Sequence, residues 1–384
     1  MVTLRGMTWN HDRGFAPMLA TAARFAETHP NIRIEWQARS LQGFADDPIR
    51  KIADEYDMVV LDHPFMGTVA KHGYLVPLDQ HIAPEVLSTL RGESVGGSHQ
   101  SYFYEGHQYA LAIDAAAQVS GYRPDLLKAA GAAVPKTWDQ VLELAKIRRG
   151  FVTTPLLAVD SLCTFFTLCA NSGEPAFTAA HDKIVSTVTG ESVLHRLQQL
   201  AEAAPPEALD WNPIAVWEKM SSTNEIAYCP FGFGYSNYAR PGYRPSTVLF
   251  TNIPSSNSRG PVGALLGGAG LAISHRCKEI AAAAEYAAWV AGAECQRGLY
   301  VHSGGQPGNR TAWVDSEVNA MSNRFFESTL PTLEQAYVRP RFPGFVEFQT
   351  AASLIVHDFL RHKKDPGSTL RKLDECYGKW NTGP

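Results

Sequence analysis

Strand and helix patterns alternate over the first sixty residues, and this succession limits the possible fold more than any other feature. Residues 2–9 alternate in the manner of a strand. The helix behind them is marked by apolar side chains that share one face: Phe15, Met18, Leu19, Ala22, Phe25 and Ala26. We expect His29-Pro30 to end this helix, because the residue before a proline is pushed out of the helical region.

Two further strand patterns complete the succession. Residues 32–36 form a short second strand, and residues 56–61 form a nearly continuous apolar run that ends at Asp62. Such a run is typical of a strand buried on both faces of a parallel sheet. The β-α-β-α-β order therefore predicts a doubly wound α/β lobe.

The remaining chain continues as mixed α and β structure. Residues 108–115 and 117–122 are extended, and Thr137 with Gln140 fits a capping box that starts a helix. Helices dominate residues 151–261. A short strand at 271–273 and a helix at 280–291 follow, with Gly292 as the C-cap. The last predicted helix covers about 347–362, followed by a polar tail.

Size and charge exclude several classes of protein. A chain of 384 residues is long enough for two lobes. Its 34 Lys and Arg against 38 Asp and Glu indicate neither a nucleic-acid nor an acidic-membrane partner. The longest apolar runs fall short of the ~20 residues that cross a bilayer, so we expect a soluble globular protein.

The cysteines have no spacing that suggests chemistry. Six occur, and no two form a C-x-x-C pair. In a chain of this length they do not amount to a disulfide scaffold. We therefore expect small, buried, unpaired side chains.

Motifs that would indicate an enzyme or a cofactor fail on their context. Gly92-Glu93-Ser94-Val95-Gly96 matches a nucleophile elbow, but a helical pattern precedes the serine where the elbow needs a strand. The glycines at 263–270 lead into a strand and lack a dinucleotide fingerprint. His357 and His362 are five residues apart, which does not stack two metal ligands on a helix. We expect no catalytic residues, no metal and no cofactor.

Three groups of segments together resemble one known family. The first group is residues 56–62 and 73–79, the second is 104–111, 121–127, 130–131 and 135–139, and the third is 267–274, 287–290, Gln296 and 304–310. In order and spacing they are similar to family 1 extracellular solute-binding proteins of ABC importers, the maltose-binding-protein-like group. Pro124 and Ala112 depart from the family's usual Lys and Pro, and the residues from Met1 onward do not show the pattern of a signal peptide.

The resemblance implies a type II periplasmic-binding-protein fold. Each lobe would be a mixed sheet flanked by helices, with lobe 1 formed by 1–113 plus 263–313 and lobe 2 by 114–262 plus 314–384. The hinge crossings would lie near 112–116, 261–263 and 312–315, and solute would be trapped in the cleft between the lobes. Since ligands of open α/β sheets sit beyond the carboxyl ends of strands, residues 9–13 and 62–65 are placed to meet it.

A sugar or polyol site needs polar groups at its rim and an aromatic platform. The platform candidates are Trp9, Phe65, Phe231 and Tyr235, with core packing as the alternative role. The candidate hydroxyl acceptors are Asp62 and Asp114, whose alternatives are a helix N-cap or a hinge salt bridge. The remaining candidates, which as an alternative could serve as turn or surface residues, are Asn10, His11, Gly267, Gly268 and Arg310.

The resemblance therefore implies a non-enzymatic, monomeric substrate-binding component of an ABC transporter. It would bind a sugar, polyol or related small polar solute by hinged closure and dock on membrane permease subunits. Its location would be periplasmic, or cytoplasmic if Met1 is the native start. A cytosolic ligand-sensing protein on the same fold and a two-lobe α/β enzyme are the alternatives.

Overall fold

The computed structural model describes residues 1–40, 49–178, 182–256 and 259–380. The chain divides into two compact units. Unit 1 comprises Met1–Ala116, Gly267–Ala320 and Arg339–Val346, and unit 2 comprises Ala117–Leu266, Met321–Val338 and Glu347–Pro384. We use these two names throughout.

One segment of unit 1 comes from a part of the chain that the sequence assigned entirely to lobe 2. Residues 339–346 pack closely against the rest of unit 1. A Cβ on Gly67 would lie only 1.9 Å from the Arg341 carbonyl oxygen. The Arg341 guanidinium also donates to the carbonyl oxygens of Gln100, Ser101 and Phe103, at 2.8–2.9 Å. These contacts join residues far apart in sequence, so no local pattern indicates them.

Nine strands occur in the described part of the chain. They are β1 (Val2–Trp9), β2 (Ile32–Arg39), β3 (Met58–Leu61), β4 (Phe103–Tyr104), β5 (His107–Gln108), β6 (Leu111–Tyr122), β7 (Tyr228–Phe233), β8 (Leu249–Thr251) and β9 (Leu266–Ile273). The two extended segments predicted before residue 122 are thus largely one long strand, β6.

The helices of the described residues are α1 (Asp12–Thr28), α2 (Ile49–Glu55), α3 (Met66–His72), α4 (Pro84–Gly92), α5 (Ser98–Ser101), α6 (Pro124–Ala129), α7 (Trp138–Ala145), α8 (Ala158–Ser172), α9 (Thr187–Ala203), α10 (Pro213–Ser222), α11 (Ile280–Ala291), α12 (Ala293–Cys295), α13 (Arg310–Trp313), α14 (Ser316–Met321), α15 (Phe325–Glu334), α16 (Phe345–His362) and α17 (Pro366–Trp380). Short 3₁₀ segments cover His63–Phe65, Leu78–Gln80, Pro206–Asp210 and Ser236–Ala239, and a π-helical turn covers Gln296–Tyr300. None of the helices in these ranges combines the length and the apolar character that crossing a membrane requires.

The sheet of unit 1 has a hydrophobic layer on each face. Strand β1 is parallel to both β2 and β3, and β9 is antiparallel to β3. Met58 and Val60 pack into one layer, and Val59 and Leu61 pack into the other. All four side chains are fully buried. The prediction of a strand buried on both faces is confirmed.

In unit 2, β7 and β8 both pair with β6 in antiparallel register. Trp217 of α10 is fully buried against this sheet and donates its indole N–H to the Phe233 carbonyl oxygen at 2.9 Å. A Cβ on Gly121 or Gly232 would lie 2.5–2.6 Å from the Trp217 ring. These two glycines are therefore required by the close approach of the tryptophan.

Two local predictions need correction, and two others are confirmed. Leu19 does not face the core with its predicted partners and is 47% exposed. The tail predicted to be polar and irregular is helix α17, whose buried face includes Leu370, Leu373 and Tyr377. Gly292 is the C-cap of α11 as predicted, with extended backbone angles. The capping box of Thr137 and Gln140 is confirmed at the start of α7.

Candidate functional site

The carboxyl ends of β1 and β3 lie at the same edge of the unit 1 sheet. The strands are parallel neighbours, with Gly6 opposite Met58 and Met7 opposite Val59. Continuing this register places Trp9 level with Leu61, so the residues that follow both strands share one edge. This edge carries the predicted candidates from Trp9 to His11 and from Asp62 to Phe65.

Asp62 is held by two basic side chains at this edge. Its Oδ2 accepts from Arg339 Nη2 at 2.5 Å, and its Oδ1 lies 2.9 Å from His63 Nδ1 and accepts from the His63 backbone N–H at 2.8 Å. Burial alone would raise the pKa of Asp62, but Arg339 and His63 outweigh it and hold that pKa well below its usual range. Burial lowers the pKa of His63 in spite of Asp62, so the imidazole is neutral near pH 7.

Asp114 in β6 forms a second ion pair within unit 1. Arg13 donates to it twice, from Nε to Oδ2 at 2.8 Å and from Nη2 to Oδ1 at 2.5 Å. The carboxylate side chain is fully enclosed and Arg13 is 4% exposed. Here burial outweighs the arginine, and the pKa of Asp114 is raised. Asp62 keeps 23% of its side chain exposed and is the more accessible of the two acids.

Both predicted aromatic residues of unit 1 lie in its hydrophobic layers. Trp9 is 4% exposed and packs over the first turn of α1, where a Cβ on Gly14 would lie 2.3 Å from the indole ring. Phe65 is 6% exposed and packs in the opposite layer. Both rings thus pack in the core, the alternative role that the sequence left open for them, and Gly14 leaves room for the Trp9 ring. Contact of either ring with solute remains a prediction.

The smaller candidates of unit 1 have identifiable local roles. His11 is the N-cap of α1 and its Nδ1 accepts from the Arg13 backbone N–H at 3.0 Å. Asn10 is exposed, and its backbone N–H donates to the Arg39 carbonyl oxygen at 2.7 Å. Arg310 is exposed at the start of α13.

Gly267 and Gly268 begin the part of β9 that belongs to unit 1, and both are half-buried. Gly268 has φ 108°, and a Cβ there would lie 2.5 Å from the Asp114 carbonyl oxygen. Glycine is thus required for the approach of β6, a requirement that exists without any ligand. A ligand contact at this pair remains a prediction.

The two aromatic candidates of unit 2 lie on and beyond β7. Phe231 is 1% exposed, and its carbonyl oxygen accepts from Thr154 Oγ1 at 2.5 Å. Tyr235 is 6% exposed, precedes the 3₁₀ turn Ser236–Ala239, and meets Tyr238 edge-on with ring centroids 6.4 Å apart. Their predicted role as an aromatic platform is not tested by these positions.

The comparisons with known proteins decide the family. A family model described as "Bacterial extracellular solute-binding protein" matches residues 8–297, about three quarters of the chain. The chain belongs to this family. The solute-binding fold predicted from the sequence is thereby confirmed.

Solved structures show the same fold for this solute-binding protein. A Thermotoga lettingae ABC-transporter solute-binding protein with α-D-tagatose has a TM-score of 0.85 at 17% identity, covering 99% of this chain and 100% of the other. Maltose-bound MalE3 of T. maritima has a TM-score of 0.83 at 16% identity, with the same coverage. An Agrobacterium radiobacter solute-binding protein with ribitol has a TM-score of 0.79 at 21% identity, covering 99% and 98%.

Sequence reasoning missed the partners of the two acids in this solute-binding protein. Arg13 stands 101 residues from Asp114, and Arg339 stands 277 residues from Asp62. Arg13 lies within the segment that was singled out, so its position after β1 was an available signal. Nothing in the local sequence around Arg339 indicates its role.

Proposed function

We propose that this protein is the substrate-binding component of an ABC importer and binds a sugar, a polyol or a related small polar solute. Solved structures of the same fold have such compounds bound, namely maltose, α-D-tagatose, ribitol and, in an Agrobacterium vitis protein, D-mannitol. The observation that carries the proposal for this chain is the fixed, partly exposed carboxylate of Asp62 at the edge where β1 and β3 end.

The chemistry of Asp62 suits a hydroxyl-rich solute. A carboxylate offers about four acceptor sites, of which Arg339 and the His63 backbone N–H use two. The depressed pKa keeps it ionised over the physiological range, and hydrogen bonds to an ionised acceptor are the stronger kind. We propose Asp62 as the principal acceptor. Asp114, with both oxygens bonded to Arg13, positions that guanidinium to donate to solute oxygens.

The remaining parts of the proposal follow from the family. Residues of both units would hold the solute, and binding would favour a closed arrangement that docks on permease subunits. We further propose that the protein acts outside the cytoplasm as a monomer, catalyses no reaction, and uses Trp9, Phe65, Phe231 or Tyr235 to contact the apolar face of a sugar ring.

Titration calorimetry with maltose, α-D-tagatose, ribitol and D-mannitol tests the proposal, with L-leucine and succinate as controls. We expect at least one of the four hydroxyl compounds to bind, and Asp62→Asn to weaken that binding by about 1.5–3 kcal/mol, the contribution typical of a hydrogen bond to a charged group. Small-angle scattering should then show a smaller radius of gyration with the bound compound. Binding of a control compound alone would contradict the proposed solute class.

A further inference from the structure

Unit 1 contains a small cavity where α4, α5, β6 and α11 meet. Apolar residues of α4, β6 and α11 form one part of its wall, and its polar lining residues are Ser94, His99 and Asn309. The space among them is about that of one water molecule. The described residues that line it all lie outside the candidate site, so the proposed function leaves the cavity unexplained.

His99 in α5 is the lining residue whose side chain is unused. Its backbone N–H donates to Ser94 Oγ at 2.9 Å, and its carbonyl oxygen accepts from Gln108 Nε2 at 3.1 Å. The imidazole has no hydrogen-bond or ion-pair partner among the described residues, although His99 is only 7% exposed. Buried polar side chains normally have a partner, so this imidazole is an exception at the wall of a cavity.

The surroundings of His99 favour its neutral form. Burial lowers the pKa of His99 to about 4, and the Arg91 guanidinium at the end of α4 acts in the same direction. The other charged residues on the elements and loops that line the cavity are Glu85, Glu93, Asp114, Glu285 and Arg310, and two more, His107 and Arg341, lie on segments that bond to α5. None of these described residues offsets the burial. An imidazolium would therefore have no paired acid among them and no room for a hydration shell.

The polar residues of the cavity wall belong to a pairing between two distant parts of unit 1. Loop 93–95 lies antiparallel to residues 308–310, and three hydrogen bonds of 2.6–3.1 Å join them. The donors are the backbone N–H groups of Val95 and Arg310 and the side-chain amide of Asn309. We call residues 93–95 and 308–310 the latch.

The latch holds a segment that also bonds to β6. Gly308 donates its backbone N–H to the Ile113 carbonyl oxygen at 3.2 Å. The Gln306 carbonyl oxygen accepts from the Ala115 backbone N–H at 3.1 Å. These two bonds flank Asp114, the acid that pairs with an arginine in the candidate site. A change in the latch therefore reaches the part of β6 that carries this acid.

We propose that His99 is an acid-sensitive switch: the neutral imidazole lets the latch close over the cavity, and protonation of the imidazole releases the latch. In the closed form an imidazolium would be enclosed without hydration, with Arg91 repelling it. In the open form it reaches water, so acid favours the open form. The switch acts within unit 1 and does not depend on which solute the protein binds.

The direction of the pH effect follows from the two forms. The pKa of His99 is about 4 in the closed form, against 6.5 for an ordinary histidine in water. The closed form therefore binds fewer protons between these values. Its advantage is complete above pH 6.5 and is lost as the pH falls toward 4. Over this range the ratio of open to closed forms should rise by up to roughly 300-fold.

One substitution and one matched control test the switch. His99→Gln removes the titrating group and keeps a side chain that can donate and accept. His81→Gln removes an exposed histidine of the same unit. Urea denaturation would measure global stability from pH 7 to pH 4.5, and amide hydrogen exchange would give the protection factors of Val95 and Arg310, which already account for the intrinsic pH dependence of exchange.

We expect the protection of Val95 and Arg310 in the parent to fall by roughly 10-fold or more between pH 7 and pH 4.5. Both amides should exchange through an opening that requires less free energy than global unfolding. His81→Gln should behave as the parent does. His99→Gln should lack the fall, and its difference from the parent removes the contribution of every other titrating group.

Three outcomes would overturn the inference. An equal fall in the parent and in His99→Gln would assign the effect to other groups. Exchange of both amides only through global unfolding would show that the latch does not open separately. If His99→Gln does not fold, the His99 ring of the parent can be titrated by NMR. No protonation above pH 5 supports the switch, whereas titration near pH 6.5 rules it out.

Discussion

The acids of the two units differ in whether a basic side chain lies beside them. In unit 1, Asp62 and Asp114 each lie against an arginine, at 2.5 Å and 2.5–2.8 Å. In unit 2, Asp160 is only 5% exposed and has no basic partner among the described residues. The first two acids are neutralised by a neighbouring cation, and the third is neutralised by a proton.

The comparison shows two ways in which a folded protein can hold an acid in a polar site. An ion pair fixes both side chains in advance and keeps the acceptor ionised. A protonated carboxyl keeps hydrogen-bonding capacity without an ion to desolvate, and its stability contribution depends on pH. Asp62 and Asp160 should therefore respond in opposite directions to a change of pH, and this opposition can be measured.

The largest expected effect is the pH dependence of stability that Asp160 imposes. Its pKa is about 8 in the folded protein against 3.8 for an ordinary Asp, so the folded chain binds the extra proton between these values. Stability should therefore fall from about pH 4 to pH 8 and then level off, by up to roughly 5 kcal/mol. Asp160→Asn should lack this fall. Parallel urea-denaturation profiles of parent and variant over pH 5–9 would show that Asp160 is paired after all.

Removing Arg13 should have the next largest effect. Arg13→Met leaves the enclosed carboxylate of Asp114 without its cation, for which a loss of about 3–5 kcal/mol in the free energy of unfolding is typical. The double variant Arg13→Met/Asp114→Leu removes both charges and should recover most of that loss. If the single and double variants are equally unstable, the arginine contributes through packing and not through the pair.

Removing Arg339 should reduce the free energy of unfolding by less than removing Arg13. The Asp62 side chain remains partly exposed to solvent and keeps His63 beside it. We expect Arg339→Met to lose about 1–3 kcal/mol and to raise the pKa of Asp62. Because the pKa of Asp62 is depressed in the folded protein, its stabilising contribution exists above the ordinary Asp range and is lost as the pH falls. Stability below pH 5 should then depend less steeply on pH in the variant than in the parent.

Arg341→Met is the matched control for this loss. It removes the same charge two residues away, together with bonds to three carbonyl oxygens, but leaves the Asp62 pair in place. Its dependence on acid pH should match that of the parent. An equal flattening in both variants would attribute the effect to net charge.

The fold could be predicted because the spacing of apolar and capping residues along the chain agrees with the helices and strands of the structure. The apolar run before Asp62 and the capping box at Thr137 each describe an element that the structure contains. Helix α17 was missed although Leu370, Leu373 and Tyr377 repeat at helical spacing. The segment contains many charged residues and was therefore interpreted as a polar tail, although its apolar residues have the spacing of an amphipathic helix.

The candidate site could be predicted only in part. The acids were found because they stand at a strand end and on a predicted crossing, which are local features. Their arginines were not, because 101 and 277 residues separate the partners and folding alone brings them together. Asp160 was overlooked for a different reason: only the structure shows that, among the described residues, no basic side chain lies beside this buried acid.

The smallest expected effect concerns the cysteines, where the two units should not differ at all. All six are buried, and within the described part of the chain none of them forms a disulfide, as the sequence predicted. Burial raises the pKa of Cys277 in unit 1 to about 11, and that of Cys295 to about 12, so neither thiolate forms near pH 7. In unit 2 burial likewise raises the pKa of Cys169. Thiol titration should therefore detect close to six thiols in denaturant and almost none in the folded protein.

A reducing agent should accordingly leave the denaturation midpoint unchanged, in contrast to the loss of about 2–5 kcal/mol that follows removal of a native disulfide. Recovery of two or fewer thiols in denaturant without reductant would contradict this expectation. Rapid reaction of folded protein from one unit only, located by peptide mapping, would instead show that this unit opens on its own. The burial of the thiols would then depend on that unit's local stability, and the pH effects of Asp160 and Asp62 would have to be measured unit by unit.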